Sequence, residues 1–213
     1  MMRVQLNRIQ LVVLGFAAMF VAAVVSVPVT APSGSAEEEA TYIGDDSCKK
    51  CHFKEHRYWK KTGLYNSLES LKPTTAEDDK ELFDRKKAAE LDPAKDYSTD
   101  ATCLACHTTG YGKKGGYPKD VAANKDQAEL MGRISCEACH GPGSKYAAHK
   151  QAEIEKNKDA KFTFEDMAPM GLIHPDEANC KTCHNDKNPV HATDTFKFET
   201  SKGDVHSKKK KKK

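Results

Sequence analysis

Apolar and aromatic residues are scarce in this chain of 213 residues. Hydrophobic residues make up 38% of it, aromatic residues 8%, and there is one tryptophan. Soluble globular domains usually contain about 45–50% apolar residues, so the composition argues against a large conventional core. Together with 31% charged residues, it is typical of a thin core or a partly disordered chain.

The chain also lacks any cysteine outside one recurring motif, and this excludes simple disorder. All eight cysteines lie in four C-x-x-C-H motifs, which are Cys48–His52, Cys103–His107, Cys136–His140 and Cys180–His184. Composition alone predicts about 0.01 such motifs. Because C-x-x-C-H is the attachment pattern of c-type haem, the sequence predicts four covalently bound haems.

Each residue type in the motif has its own chemical role. The two cysteines form thioethers with the vinyl groups of a porphyrin, and the histidine binds the iron. The predicted attachment residues are Cys48, Cys51, Cys103, Cys106, Cys136, Cys139, Cys180 and Cys183. The predicted proximal ligands are His52, His107, His140 and His184. A four-cysteine zinc site would not require histidine at one offset four times.

Histidines outside the motifs are candidates for the sixth iron ligand. His149 and His206 rank first, because one follows a Gly-Pro-Gly turn and the other a Phe-Lys-Phe run. His56 lies one turn after His52 and could serve only a neighbouring haem. His174, six residues before Cys180, could fold under the fourth haem, and His191 ranks last. Three methionines are alternative ligands, although packing against porphyrin is favoured for them: Met131, Met167 and Met170.

Residues 1–36 have the layout of an export signal. Arg3 and Arg8 precede an apolar run from Ile9 to Val29, and Gly34-Ser35-Ala36 is typical of a cleavage site. We predict cleavage after Ala36. An uncleaved membrane anchor is the alternative, because the run is long enough to span a bilayer. Either outcome places the haem domain in the periplasm.

Charge divides the remaining chain into two parts. Residues 37–207, the predicted tetrahaem domain, hold 26 basic and 31 acidic side chains. Residues 208–213 are six lysines, which either contact an anionic membrane surface or acidic partner or form a solubilising tail. No nucleic-acid partner is predicted, because no aromatic residues are interleaved with these lysines.

Periodicity predicts a mainly α fold with long loops. Helices are expected over 53–71 and 75–90, a helical turn over 126–131, and a helix capped by Ser144 and ending near Asn157. Glycine-rich and proline-containing segments between them predict loops. No segment shows the alternation of apolar and polar residues that is typical of a strand.

Four phrases of the sequence carry a resemblance to a known family: Ser70–Pro73, Leu91–Tyr97, Gly110–Tyr117 and Cys136–Gly143. Over roughly 45–200 the chain resembles the tetrahaem cytochrome c-554 family, typified by the periplasmic electron acceptor of hydroxylamine oxidoreductase in ammonia-oxidising bacteria. The resemblance implies haems in stacked and angled pairs. Three would be bis-histidine haems, and the haem on the second motif would be five-coordinate.

The resemblance also assigns distal ligands and shows one departure. It matches His149 and His206 to two of the family's distal histidines. At the third position this chain has Leu64. Either His56 or His174 fills the vacant site, or a second haem is open.

Three functions follow from these features. The first is a carrier that passes electrons between a multihaem oxidoreductase, such as a hydroxylamine-oxidoreductase-like donor, and a quinone-linked membrane or small cytochrome. The second is a membrane-anchored quinol dehydrogenase of the NapC/NirT type, although Phe53-Lys54-Glu55 stands where such proteins usually have a methionine ligand. The third is a haem enzyme reducing nitric oxide at an open iron, with Glu137 and Tyr111 as nearby candidates.

Overall fold

The computed structural model describes residues 38–185 and 196–205. Throughout these ranges the regular secondary structure is helical, and they contain no β-strand. This confirms the prediction of a mainly α fold with long loops. The predicted signal segment and the lysine run fall outside the described residues, as do His191 and His206.

Ten α-helices and two 3-10 turns occur in the described ranges. The α-helices are α1 (Asp45–Lys49), α2 (Phe53–Trp59), α3 (Lys80–Ala88), α4 (Ala101–His107), α5 (Lys125–Met131), α6 (Cys136–His140), α7 (Ser144–Lys156), α8 (Phe164–Met167), α9 (Glu177–Lys181) and α10 (Phe198–Ser201). The 3-10 turns are Glu69–Leu71 and Ala168–Met170. None of these helices has both the length and the apolar character needed to cross a bilayer.

The helix predicted over 53–71 is interrupted, so that prediction was wrong after Trp59. The Thr62 hydroxyl donates to the Trp59 carbonyl at 2.7 Å, and Gly63 follows directly. A hydroxyl that satisfies a helix's last carbonyl competes with continuation of the helix. The chain then proceeds through turns to the 3-10 turn at Glu69–Leu71.

Two predicted helix starts were also placed at the wrong residue. Asp79 caps α3 by accepting from the Leu82 N–H at 2.9 Å, whereas Thr75 closes a turn with Asp78. Ser144 does lie at the start of α7, but its hydroxyl accepts from the distant Thr41 N–H at 2.8 Å. The extent of α7 and the short α5 are otherwise as predicted.

One small apolar cluster surrounds the second motif. Its buried members are Leu71, Tyr97, Leu104, Tyr117, Ala128 and Met131. Leu104 belongs to α4, the helix that carries Cys103, Cys106 and His107. Met131 has no exposed surface and packs in this cluster, which agrees with a packing role for it.

A buried carboxylate joins three parts of the chain around the third motif. Glu137 is 1% exposed. Its Oε2 accepts from the Gly44 N–H at 2.7 Å, and its Oε1 accepts from the Gly143 N–H at 2.7 Å. The Ile43 N–H contacts both oxygens at 3.0 and 3.1 Å. Glu137 thereby fixes α6 to the segment entering α1 and to the turn entering α7.

The surroundings of Glu137 leave little freedom for substitution. Burial raises the pKa of the carboxyl, and the N–H groups of Gly143, Gly44 and Ile43 act in the opposite direction. A Cβ atom at Gly143 would come within 3.0 Å of Oε1. By its proximity in the chain, Glu137 is a candidate residue for a haem enzyme with an open iron. The structure instead commits both of its oxygens to backbone donors.

We expect Glu137→Gln to lower the free energy of unfolding of the haem-loaded protein by about 3 kcal/mol, because an amide group would face buried N–H donors and leave one unpaired. Urea denaturation followed by far-UV circular dichroism measures this change. The exposed Glu165 provides the control Glu165→Gln, and equal midpoints for the two variants would contradict the assigned role.

Candidate haem centre

Each C-x-x-C-H motif begins on a short helix, and in the second and fourth motifs an aspartate caps the start of that helix. Asp100 accepts from the Thr102 N–H at 2.8 Å, and Asp176 forms a reciprocal capping box with Asn179. In the first and fourth motifs, the histidine N–H donates to the carbonyl of the first cysteine at 2.9 Å. Both cysteines and the histidine therefore lie on one helical turn, as attachment to a single porphyrin requires.

No two of the eight cysteines form a disulfide, so all eight are available for thioether bonds. Cys48 of the first motif lies near Cys136 of the third, and this proximity, with burial, raises the pKa of Cys48. Cys106 of the second motif lies near Cys183 of the fourth, and this proximity lowers the pKa of Cys183 to about 6. The fold thus places the first motif against the third and the second against the fourth.

Two motif histidines are oriented by backbone carbonyls. His107 Nδ1 lies 2.7 Å from the Ser67 oxygen, and His140 Nδ1 lies 3.2 Å from the Ile173 oxygen. A carbonyl can only accept, so the proton resides on Nδ1, and Nε2 carries the lone pair that binds iron. Burial also lowers the pKa of His107, which favours the neutral imidazole that a metal needs. The residues therefore fit a covalent haem.

The other two motif histidines contact side chains from later in the chain. His52 Nε2 lies 3.3 Å from Lys150 Nζ, so α7 extends over the first motif. His184 stacks on Phe196, with ring centroids 4.4 Å apart and an interplanar angle of 12°. Burial lowers the pKa of His184 as well.

A family model described as "Cytochrome c554 and c-prime" matches residues 47–141. A curated cytochrome c-554 from Nitrosomonas europaea is 34% identical over 148 residues, which span 68% of this chain and 58% of that protein. The solved structure of the reduced state of cytochrome c554 from the same organism superposes with a TM-score of 0.63 at 31% identity, covering 80% of this chain and 85% of that one.

The chain belongs to the cytochrome c554 family. Its cofactor is accordingly covalent haem c, and the family resemblance seen in the sequence is confirmed. The aligned part spans just over half of the curated relative's length.

Distal candidates in this cytochrome c554 chain occupy different surroundings. His149 on α7 lines an open groove of about 480 Å³ together with Glu153, Lys161, Phe162 and Asp166. His174 is exposed and lies 5.6 Å from the Phe164 ring, centroid to centroid. His206 lies outside the described residues, so its assignment stays a prediction.

His56 is buried in an ion-pair contact. Its Nε2 lies 2.7 Å from Asp45 Oδ2, and both side chains are about 95% buried. Arg133 Nη1 approaches the other Asp45 oxygen at 3.8 Å, and the His56 ring is 5.3 Å from that of Trp59. The structure thus commits His56 to holding α1 against α2, and it offers no support for His56 as a haem ligand.

Leu64 adjoins the chain that enters the third motif. Its carbonyl accepts from the Ile134 N–H at 3.1 Å, and Ile134 lies two residues before Cys136. The position at which the family resemblance predicts a distal histidine is therefore next to the third motif.

Sequence reasoning missed Ser67, which connects the second and third motifs. Ser67 is 3% exposed. Its hydroxyl donates to the His107 carbonyl at 2.7 Å and accepts from the Ile134 N–H at 3.0 Å. These partners are 40 and 67 residues away, and a lone serine carries no pattern that would reveal them. Ser70 contributes to the family resemblance through the stretch Ser70–Pro73, but the sequence predicts no role for its side chain.

Ser70 shares the acceptor that orients His107. The Ser70 hydroxyl donates to the Ser67 carbonyl at 2.6 Å and lies 3.3 Å from His107 Nδ1. Two donors thus share one carbonyl, and each weakens the hydrogen bond that the other can form. The strength of the bond at Nδ1 sets the basicity of the ligating nitrogen.

We expect Ser70→Ala to lower one of the four midpoint potentials by roughly 40 mV, which corresponds to a net hydrogen bond of about 1 kcal/mol for a one-electron couple. The reason is that the His107 N–H would then have the carbonyl to itself and the imidazole would donate more strongly. A spectroelectrochemical titration measures this. Ser98→Ala, which removes the hydroxyl bonded to Asp96, is the control, and unchanged potentials in Ser70→Ala would rule the tuning out.

Proposed function

We propose that this protein is a periplasmic tetrahaem electron carrier that accepts electrons from a multihaem oxidoreductase and passes them to a quinone-linked membrane cytochrome or a small cytochrome. The observation that carries this proposal is the direct hydrogen-bonded linkage of different motifs. Glu137 of the third motif accepts from the Gly44 N–H, next to the helix that holds Cys48, and Ser67 bridges the His107 carbonyl and the Ile134 N–H. Bound haem c supplies an iron that alternates between ferric and ferrous states. Motifs that adjoin in this way favour cofactors that communicate.

Family membership favours the carrier over the quinol dehydrogenase. The matched relative is named cytochrome c-554. The nitric-oxide-reducing alternative loses one of its two candidate residues, since Glu137 binds backbone donors.

Side chains of this chain supply the iron ligands. We assign His52, His107, His140 and His184 as proximal ligands. For the first motif we assign His149 as the distal ligand, supported by its neighbour Lys150, which lies 3.3 Å from His52. For the fourth motif we propose His206, which the family resemblance matches to a distal histidine.

For the third motif we propose an iron without a distal histidine. Leu64, which cannot bind a metal, adjoins this motif. His56 is bonded to Asp45. His174 directly follows Ile173, whose carbonyl holds the Nδ1 side of His140. The Nδ1 side of the His140 ring faces away from the iron. The position of His174 next to Ile173 therefore supports placing His174 away from the distal side of the third iron.

The carrier function is tested by a reductive titration of the purified haem-loaded protein, with spectra recorded at each potential. Four one-electron transitions that equilibrate with one another are expected, because the motifs adjoin in pairs. A haem fraction that exchanges electrons with none of the others would contradict a carrier role.

The ligand assignment predicts two high-spin haems in low-temperature electron paramagnetic resonance spectra of the oxidised protein, those of the second and third motifs. We expect Leu64→His to convert one of them to low spin, because it places an imidazole beside the third motif. Leu68→His, one turn further along the chain, is the matched control. A single high-spin haem in the unaltered protein would overturn the assignment for the third motif.

A further inference from the structure

Basic residues are concentrated on the helix pair that carries the first motif. Six of the 13 residues from Lys49 to Lys61 are basic, and only Glu55 is acidic. The remainder of residues 37–207 holds 20 basic and 30 acidic side chains, a net charge of −10. We call the six the first-motif surface: Lys49, Lys50, Lys54, Arg57, Lys60 and Lys61.

The first-motif surface is exposed and continuous on α2. All six side chains are exposed. Helical geometry places positions 53, 54, 57 and 60 within about one third of the circumference, while His56 and Trp59 lie outside this arc and are buried. Phe53 lies within this arc with 56% of its surface exposed, and the Arg57 guanidinium carbon is 6.0 Å from its ring centroid.

These six charges are not neutralised by the protein. Elsewhere in the described ranges, basic side chains pair with carboxylates one turn away on the same helix, for example Lys80 with Asp84 at 2.6 Å and Lys181 with Glu177 at 2.8 Å. None of the six forms an ion pair with a carboxylate in the described part of the chain. An uncompensated positive field therefore extends from this surface into solvent.

The same surface is centred on a haem ligand. Cys51 and His52 lie between α1 and α2 and are both exposed. Cys51 and His52 are more exposed than the other motif cysteines and histidines, and they lie where positive charge is densest. Because an electron moves between proteins only over a short distance, a docked partner gains most from this position.

We propose that the first-motif surface docks an acidic redox protein that exchanges electrons at the first haem. This inference rests on the proposed carrier function. An exposed aromatic side chain with arginine beside it and lysines around it has the composition of an interface centre with a polar rim. The lysines steer an acidic partner and raise its association rate.

An acidic protein fits this surface better than an anionic membrane. A helix that binds at a membrane interface needs a broad apolar face opposite its charges. The buried residues of α2, His56 and Trp59, pack inside the protein and are not available for such a face. Phe53 alone does not supply such a face.

The test is stopped-flow reduction of the haem-loaded protein by a reduced plant-type [2Fe–2S] ferredoxin, an acidic protein used as the probe. Lys54→Glu/Lys60→Glu is expected to slow the second-order reaction about tenfold at low ionic strength and to flatten its dependence on salt. The control Lys113→Glu/Lys125→Glu changes the net charge equally at exposed sites outside the surface and is expected to stay within about twofold. Phe53→Ala is expected to slow the reaction with little change in its salt dependence.

Equal rates in the two charge-reversed proteins would overturn the proposal, because net charge alone would then govern association. It would also be overturned if the surface variant lost binding to phosphatidylglycerol vesicles while reacting normally with ferredoxin. Reduction by dithionite distinguishes a failure of the docking surface from a failure of the carrier function. Full dithionite reduction of all four haems with no effect of the surface variant would refute only the docking surface, whereas haems that fail to equilibrate under dithionite would refute the carrier itself.

Discussion

The buried carboxylate of Glu137 is the interaction around which the first and third motifs are arranged. A charge that is 1% exposed is tolerated only where hydrogen bonds replace the lost water. The backbone N–H groups of Ile43, Gly44 and Gly143 provide that replacement. Because these donors precede α1 and α7 directly, the positions of both helices relative to α6 follow from one side chain. The contact between Cys48 and Cys136 depends on the same arrangement.

The helices are short and the apolar cluster is small, so neither helix propensity nor a conventional core stabilises much of this fold. Isolated helices need about 12–15 residues to be even marginally stable in water, whereas α1 and α6 have five residues each. Long-range hydrogen bonds, such as those that Glu137 accepts from the Gly44 and Gly143 N–H groups, hold them instead. The apolar cluster of six residues surrounds only the second motif, so the porphyrins provide much of the apolar surface that the 38% hydrophobic composition does not.

Local signals in the sequence were sufficient for the motifs and for the fold class. The C-x-x-C-H spacing predicts the eight attachment residues, and Ser144 after the Gly-Pro-Gly turn located α7. The helix expected over 53–71 ended early because Thr62 and Gly63 compete with its continuation, a local effect that periodicity does not record. Contacts between distant segments could not be predicted from local sequence signals. Nothing near Ser67 indicates His107, and nothing near Glu137 indicates Gly44, because such pairs depend on how the loops return the chain.

The carbonyl that orients His140 has a consequence for assembly. The carbonyl that orients His107 in the second motif comes from earlier in the chain, since Ser67 precedes His107 by 40 residues. The carbonyl that orients His140 in the third motif comes from later in the chain, since Ile173 follows His140 by 33 residues. A chain made and threaded from its amino terminus can therefore orient the second histidine as soon as it emerges, but it must wait for Ile173 to orient the third. Maturation of the third centre is thus coupled to arrival of the segment that leads into the fourth.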